Sequence, residues 1–170
     1  MVFPVTCDVC GFEWSDVGPK EVPGRLVAAV DSFNEVIIEA GTGARRRPSA
    51  GRWSILEYGG HLRDVLIAIR ERIITACVVD DWTGSSIHRE ERIELGFYSP
   101  DVPAEVVNEL SVTSRLLVKT FETLRVDQLD RQFTFSAVSP SKVTILWAGA
   151  QGVHECEHHL ADVRENLALL

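Results

Sequence analysis

Four long segments of the chain repeat apolar residues at intervals of three or four, and this periodicity limits the fold more strongly than any other feature of the sequence. The first segment, residues 26–40, stops at Gly41, as an amphipathic helix that ends in a glycine does. The second begins near Ile55, behind Ser54 and Glu57, which have the spacing of a capping box. Each pattern predicts a helix with one face in a core.

Two further periodic segments follow a long polar connection. Asp101 and Pro103 are expected to open the third helix. Ser141 is expected to cap the fourth, which would run from about Lys142 to near the C-terminus. An alternating stretch within residues 125–142 favours at most a short extended piece. Four amphipathic helices without a sustained strand pattern predict an all-α fold, a four-helix bundle with long connecting loops. An irregular all-α domain, which packs by the same rules, is the alternative.

The chain has 170 residues, of which 45% are hydrophobic, and this suffices for one domain. We expect residues 1–20 to form an N-terminal cysteine-bearing arm and residues 21–170 to form the bundle. The net charge of −8 disfavours binding to nucleic acid or to an anionic membrane surface. The sequence has no apolar run of the roughly 18 residues that a membrane span needs and no recognisable signal peptide. We therefore expect a soluble, cytoplasmic protein without a nucleic-acid or membrane partner.

The segment GVHECEHHLADV near the C-terminus concentrates metal-ligand side chains on the fourth predicted helix. His154 and His158 are four positions apart, which places both imidazoles on one side of a helix, one turn apart. Two histidines at this spacing can chelate one metal ion. Trp147, Ala150 and Ala161 lie on the same side, and because they are apolar we expect this side to face the bundle interior.

His61 is the third candidate ligand, because it shares a core-facing side of the second helix with apolar neighbours. Gly59 and Gly60 precede it inside that helix, where each costs roughly 1 kcal/mol relative to alanine. They leave room for a close neighbour or a ligand, or they mark a simple kink. On the fourth helix, His159 lies about 100° further round the axis and need not share the direction of the histidine pair, and Glu155 is expected to point elsewhere.

Each of these histidines alone is more often a hydrogen-bonded core residue than a metal ligand. Three buried imidazoles would, however, leave several donors and acceptors unsatisfied, at about 1–3 kcal/mol each, and one divalent cation would satisfy them together. Three histidines with open coordination positions are typical of a catalytic metal site rather than a structural one. The residues therefore favour a metal site at His61, His154 and His158, without assigning further catalytic residues.

Two cysteines near the N-terminus, Cys7 and Cys10, have the C-x-x-C-G spacing of half a structural zinc site. Cys77 and Cys156 are isolated in predicted helices and do not supply a second pair. Three interpretations stay open. The pair binds zinc with ligands from a loop or a second subunit, it is a redox-active pair, or it consists of two reduced cysteines that anchor the arm. If the arm folds over the mouth of the bundle, a cysteine could also cap the histidine-bound metal.

Two stretches of the sequence, WSILEYGGHLRD and HECEHHLADV, resemble the DinB/YfiT-like superfamily of metal-dependent four-helix-bundle proteins, over about residues 22–169. The resemblance implies that His61, His154 and His158 hold Zn²⁺ or another divalent ion such as Ni²⁺, Mn²⁺ or Fe²⁺. It also implies a homodimer that acts on a small-molecule thiol and an electrophile. The superfamily includes thiol S-transferases, which use mycothiol or bacillithiol, and a mycothiol-dependent maleylpyruvate isomerase.

The leading interpretation is a metal-dependent S-transferase that joins a low-molecular-weight thiol, such as mycothiol, to an electrophile. A bound metal lowers the pKa of a coordinated thiol or water, so the same site would also support a metal-dependent hydrolase. A metal-binding or stress-related protein without catalysis is the remaining alternative. Asp64 and Asp162 are candidate acceptors for the histidine N–H groups, with ordinary surface salt bridges as the competing interpretation.

Overall fold

The computed structural model describes residues 5–135 and 140–170 and contains, within those ranges, six helices and a two-stranded antiparallel sheet. In chain order the elements are α1 (Glu21–Ala40), α2 (Ile55–Val78), α3 (Arg89–Glu94), α4 (Pro103–Glu122), α5 (Val126–Leu129), β1 (Gln132–Phe135), β2 (Ser141–Thr144) and α6 (Ile145–Leu167). Short 3₁₀ helices lie at Trp14–Asp16 and Gly41–Arg45.

The bundle consists of α1, α2, α4 and α6, and the order of packing differs from the order in the chain. Both α1 and α2 pack against α4 and α6, whereas α1 and α2 make few contacts with each other. Thus α1 lies opposite α2, and α4 lies opposite α6. The predicted all-α four-helix bundle is confirmed, with the small sheet as an addition. Within the described ranges, no helix combines the length and the apolar character that a membrane crossing requires.

The start of α2 follows from local sequence. Ser54 Oγ accepts the Glu57 N–H at 3.2 Å, and the Glu57 carboxylate accepts the Ser54 N–H at 2.7 Å. This reciprocal pair is the predicted capping box and satisfies two N–H groups at the helix start. It fixes Ile55 as the first residue of α2 and so sets the position of His61 along the helix.

The third bundle helix begins at Pro103 as predicted, but Asp101 does not cap it. The start of α4 has no side-chain cap. Asp101 Oδ2 instead accepts a hydrogen bond from Arg63 Nη1 at 3.2 Å. The carboxylate is thereby committed to the α2–α4 interface, where a guanidinium is a stronger partner than a backbone N–H.

The predicted start of the fourth bundle helix was wrong. Ser141 and Lys142 belong to β2, and α6 begins at Ile145. Thr144 provides the cap, because its Oγ1 accepts the Trp147 N–H at 3.1 Å. Residues 141–144 form a strand before the helix in the chain because they pair with β1, and this pairing is not visible in the local sequence.

The small sheet places a wall beside the α2–α6 interface. Phe133 and Phe135 of β1 are buried in the core. The connection after α2 runs along the same strand, since Thr134 N–H donates to Trp82 O at 2.8 Å. The predicted extended piece is confirmed for the two paired strands, and residues 136–139 lie outside the described residues.

The two glycines before His61 give room to neighbouring side chains. A Cβ atom at Gly59 would lie 2.8 Å from Val106 Cγ1, and one at Gly60 would lie 2.6 Å from Tyr98 Cδ1. Both distances are too short for real contacts. The missing Cβ atoms therefore let α4 and the segment before it approach α2 closely.

Candidate metal centre

Three ligand atoms converge across the α2–α6 interface, from His61 on α2 and from Glu155 and His159 on α6; we call these three residues the helix cluster. His61 Nε2 lies 3.6 Å from Glu155 Oε2, and His159 Nε2 lies 3.5 Å from the same oxygen. One ligand atom from each residue lies within 4.8 Å of those from the other two. Atoms bound to one tetrahedral zinc ion stand roughly 3.3–3.6 Å apart. The spacing therefore fits a single small divalent cation.

The His61 ring is buried and lacks a partner for its polar atoms. The residue is 2% exposed, and neither ring nitrogen has a hydrogen-bond partner among the described residues. Its distance to Glu155 exceeds that of a hydrogen bond. Leaving such a group unpaired costs about 1–3 kcal/mol, and a cation would supply the partner. Burial lowers the pKa of His61, which favours the neutral ring that a metal binds.

The other two ligands are oriented by hydrogen bonds from outside the helix cluster. Asp162 Oδ2 lies 2.8 Å from His159 Nδ1, which leaves Nε2 facing the cluster. Gln151 Nε2 donates to Glu155 Oε1 at 2.6 Å, which leaves Oε2 for the cluster. Trp14 Nε1 donates to Gln151 Oε1 at 2.8 Å and fixes the amide in this orientation. Such outer partners are the usual support of metal ligands.

The electrostatics of the helix cluster favour a cation. Burial opposes protonation of His159, but its hydrogen bonds with Asp162 and Glu155 outweigh burial and raise its pKa to about 9. Burial also opposes ionisation of Glu155, yet the two neighbouring imidazoles hold its pKa well below the usual range. Two ionised carboxylates thus lie beside the imidazoles and hold a proton on His159. A divalent cation would be attracted by the same field and would replace the proton on His159 Nε2.

A cavity of about 110 Å³ opens beside the helix cluster. Besides ligands of the cluster, its lining includes an apolar wall and two guanidinium groups, namely Val65, Ile69, Ile87 and Phe135 together with Arg72 and Arg89. The Arg72 guanidinium lies 4.6 Å from the centre of the Phe135 ring. Arg72 follows His61 by three turns on the same side of α2, roughly 16 Å along the axis. The cavity therefore extends along α2 from the cluster towards a cationic side chain.

A second group of metal-ligand side chains lies where the N-terminal arm, residues 5–17, crosses α6. Cys7 and Cys10 of the arm and His154 and His158 of α6 each contribute one ligand atom, and these atoms lie within 4.8 Å of one another. We call these four residues the arm cluster. Cys7 Sγ lies 3.9 Å from His158 Nδ1.

The predicted triad of His61, His154 and His158 stays a prediction, and the structure divides its members between the two clusters. His154 and His158 are half-buried. The rings of Phe12 and Trp14 cover His154, with centroid distances of 5.0 and 4.7 Å. The side of α6 that carries this histidine pair therefore faces the arm, whereas His61 faces a different side of the helix.

Glu155, which was expected to point elsewhere, and His159, which was not assigned to the site, are the residues that meet His61. Gly152 and Val163 are buried on α6, seven positions before and four positions after His159. That spacing marks the interior side of a helix. Ala161, whose apolar character was used to orient the predicted site, is exposed. The i, i+4 spacing of Glu155 and His159 is the same as that of the histidine pair and was the available signal.

The two candidate acceptor aspartates have different surroundings. Asp162 contacts His159, as described above, and stands where an acceptor for a ligand N–H is needed. Asp64 accepts a hydrogen bond from the Tyr98 hydroxyl at 2.9 Å and forms an ion pair with Arg92. Asp64 therefore takes part in a polar network that joins α2 to α3 and the segment after it.

The profile of the DinB superfamily matches residues 22–163, which include the helix cluster and leave the two arm cysteines outside. No curated protein matches the sequence.

Several solved structures are similar in fold. YfiT from Bacillus subtilis, described as a probable metal-dependent hydrolase with an unusual four-helix bundle topology, has a TM-score of 0.79 at 16% identity, over 86% of this chain and 84% of that one. The mycothiol-dependent maleylpyruvate isomerase has a TM-score of 0.70 at 15% identity, over 88% of this chain and 62% of that one. A histidine-to-alanine mutant of the isomerase has a TM-score of 0.71 at 12% identity, over 88% of this chain and 62% of that one. The chain thus spans less than two thirds of the isomerase.

Proposed function

The chain belongs to the DinB superfamily, and on that premise we propose that it is a metal-dependent enzyme that transfers a low-molecular-weight thiol, such as mycothiol, to a small electrophile. The helix cluster, His61, Glu155 and His159, would hold the cation, with Zn²⁺ as the first candidate and Ni²⁺, Mn²⁺ or Fe²⁺ as alternatives. One observation carries the proposal. Three ligand atoms from two helices converge beside a cavity, and three protein ligands leave coordination positions for reactants.

The residues around the cluster would hold its ligands in one orientation. Asp162 keeps the His159 proton on Nδ1, and Gln151 occupies Glu155 Oε1. Neither ligand then needs to rotate to face the cation, although a cation at His159 Nε2 would have to replace the proton that the raised pKa keeps there. A divalent cation bound here would lower the pKa of a coordinated thiol or water and so supply a nucleophile near neutral pH.

The cavity supports a small, anionic reactant. Apolar side chains form one wall of the cavity beside the cluster, and a wall that limits the access of water would strengthen electrostatic interactions inside. Arg72, buried at 6% exposure, presents a guanidinium along the same cavity. A guanidinium binds a carboxylate through paired hydrogen bonds. With about 110 Å³, the cavity fits a small electrophile or the reactive end of a thiol, rather than a whole drug-sized molecule.

The test is conjugation of an activated aryl chloride with mycothiol, bacillithiol or glutathione, by zinc-loaded and by chelator-treated protein. We expect a zinc-dependent rate with at least one thiol, and loss of that rate in Glu155→Ala and His159→Ala variants. Absence of a zinc-dependent rate with all three thiols would count against the transferase.

A metal-dependent hydrolase is the second candidate function. The size of the cavity favours it, because water and one small substrate need less space than a thiol and an electrophile. The fold likeness to YfiT points in the same direction. The test is a panel of small esters and amides, without thiol. Hydrolysis in this panel would favour the hydrolase over the transferase. Absence of turnover in both assays would favour a metal-binding protein without catalysis.

The ligand set is tested separately from activity, by zinc content of single alanine variants. The helix cluster predicts that His61→Ala, Glu155→Ala and His159→Ala each lose the same zinc ion. The three-histidine triad predicts instead that His61→Ala, His154→Ala and His158→Ala behave alike. Homodimer formation, which the resemblance implies, stays a prediction for light scattering in solution.

A further inference from the structure

We propose that the arm cluster, Cys7, Cys10, His154 and His158, binds a second Zn²⁺ in a closed structural site that fastens the N-terminal arm to α6. The site is distinct from the helix cluster and would supply no ligand to it. It would be formed within one chain, without ligands from another subunit.

The spacing of the four residues is the first argument. Cys7 and Cys10 form C-x₂-C, and His154 and His158 form H-x₃-H. These spacings are those of structural Cys₂His₂ zinc sites, where a turn supplies the cysteines and a helix supplies the histidines. The arm supplies that turn here, and α6 supplies the helix.

The arm already has the shape that presents two cysteines to one point. Cys7 N–H donates to Phe12 O and Gly11 N–H donates to Cys7 O, each at 2.8 Å. Thr6 and Glu13 form an antiparallel bridge at the base of the turn. Gly11 has a φ of +73°, a conformation that glycine adopts without strain. Backbone hydrogen bonds therefore close the turn, and both cysteines lie within the segment that they close.

The distances fit a tetrahedral ion. Cys7 Sγ and His158 Nδ1 are 3.9 Å apart, and the four ligand atoms lie within 4.8 Å of one another. In a zinc site with Zn–S near 2.3 Å and Zn–N near 2.0 Å, ligand atoms stand roughly 3.3–3.8 Å apart. No pair of ligand atoms would need to approach by more than about 1.5 Å to complete the site, and Cys10 on the arm is exposed.

The surroundings of His154 and His158 are the next argument. Both ring nitrogens of His154 are buried without a hydrogen-bond partner in the part of the chain that the structure describes. His158 turns Nδ1 towards Cys7, and its Nε2 lies 4.0 Å from Asp162 Oδ2. The Asp162 carboxylate is beyond hydrogen-bond distance of His158 and is hydrogen-bonded to His159, so Nδ1 of His158 remains directed at Cys7.

The donor types separate the two sites. Two thiolates and two imidazoles give four protein ligands, a complete tetrahedral set that leaves no position for a reactant. Soft sulfur ligands select zinc over harder divalent ions. The helix cluster, with three ligands that include the carboxylate of Glu155, remains open. The arm cluster is therefore a structural site, whereas the helix cluster suits catalysis.

Fastening the arm has a consequence for the helix cluster. Trp14 follows Cys10 by four residues and donates to Gln151, which in turn donates to Glu155. Arg25 of α1 also holds this region, through two hydrogen bonds to Glu157 at 2.8 and 2.6 Å. A zinc ion in the arm cluster would keep Trp14 in place and so support the orientation of Glu155.

The experiment measures zinc per chain and zinc X-ray absorption in the full-length protein and its variants. We expect two zinc ions in the wild type and one in Cys7→Ser, Cys10→Ser and His61→Ala. The single zinc left in His61→Ala should have two sulfur neighbours near 2.3 Å and two nitrogen neighbours near 2.0 Å. Cys77→Ser, which removes a thiol outside the arm, should keep both ions.

Three results would overturn the proposal: unchanged zinc content in both arm-cysteine variants, a sulfur-free shell around the zinc in His61→Ala, or a Cys7–Cys10 disulfide in protein purified under reducing conditions. Because Cys7→Ser could weaken folding, hydrogen exchange of the wild type provides a second measurement. Zinc should slow exchange of the Cys7 and Gly11 amides at least tenfold relative to chelator-treated protein, and equal rates would contradict the site. Neither measurement depends on the proposed thiol transfer.

Discussion

Glu155 Oε2 lies 3.6 Å from His61 Nε2 and thereby joins α6 to α2 across the interior of the bundle. The carboxylate is the anionic member of the helix cluster, and the same oxygen lies 3.5 Å from His159 Nε2. One carboxylate oxygen therefore lies near imidazole nitrogens from two different helices. It also gives the cluster the negative charge that a divalent cation would neutralise.

Replacing Glu155 by glutamine should weaken zinc binding at the helix cluster selectively. The amide keeps the size of the side chain but removes its charge, so affinity should fall by at least the roughly 10–100-fold that loss of an outer partner costs. Calorimetric titration of chelator-treated protein with zinc measures both sites. The arm cluster should keep its affinity, and an unchanged helix-cluster affinity would remove Glu155 from the ligand set.

Trp14→Phe should loosen the helix cluster from a distance. The substitution keeps an aromatic ring against His154 but deletes the N–H that donates to Gln151 at 2.8 Å. One lost hydrogen bond is worth about 1 kcal/mol, or roughly fivefold in affinity. Zinc titration should show this loss at the helix cluster only. Equal loss at the arm cluster would mean that the whole arm has moved.

Gly60→Ala should destabilise the fold, because its Cβ would lie 2.6 Å from Tyr98 Cδ1 and 2.9 Å from Asp101 Oδ2. Overpacking costs about 1–3 kcal/mol, of which helix propensity returns up to about 1 kcal/mol. Gly24→Ala in α1 is the matched control, since no heavy atom lies within 4 Å of its added Cβ. It should stabilise by roughly 0.5–1 kcal/mol. Urea unfolding of chelator-treated protein measures the free energy of unfolding of both variants. Equal changes in the two variants would contradict the close packing around Gly60.

Glu57→Gln should remove a pH-dependent part of the stability. Burial opposes ionisation of Glu57, but its hydrogen bonds with Arg47 and Ser54 outweigh burial and lower its pKa from an ordinary value near 4.5. A lowered pKa in the folded state stabilises the fold above about pH 4.5, and this contribution is lost as the pH falls through the folded value. Glutamine keeps the capping bond and resembles the protonated acid.

The free energy of unfolding of wild type and Glu57→Gln should therefore differ by a few tenths to about 1 kcal/mol at pH 7, and converge as the pH falls through the lowered pKa of the folded state. The Arg47→Met variant supplies the control, because it removes the main partner of the charge and should reduce the difference at pH 7. A difference that grows as the pH falls would show that the sign of the linkage is opposite.

The sequence predicts the bundle well because its signals are local. Ser54 and Glu57 define the start of α2 without help from the rest of the chain, and apolar spacing identifies the helices. The start of α6 was misplaced because β2 depends on pairing with β1, which is not a local property. The grouping of ligands was also beyond local signals. Which side of α6 faces the interior depends on Trp14 of the arm, which covers the side that carries His154.

The most direct measurement is anomalous X-ray scattering at the zinc edge, from crystals of the zinc-loaded protein. The account predicts a peak within about 2.0–2.2 Å of His61 Nε2, Glu155 Oε2 and His159 Nε2, and a second peak among the four side chains of the arm cluster. A single peak shared by His61, His154 and His158, or none beside Glu155, would contradict it.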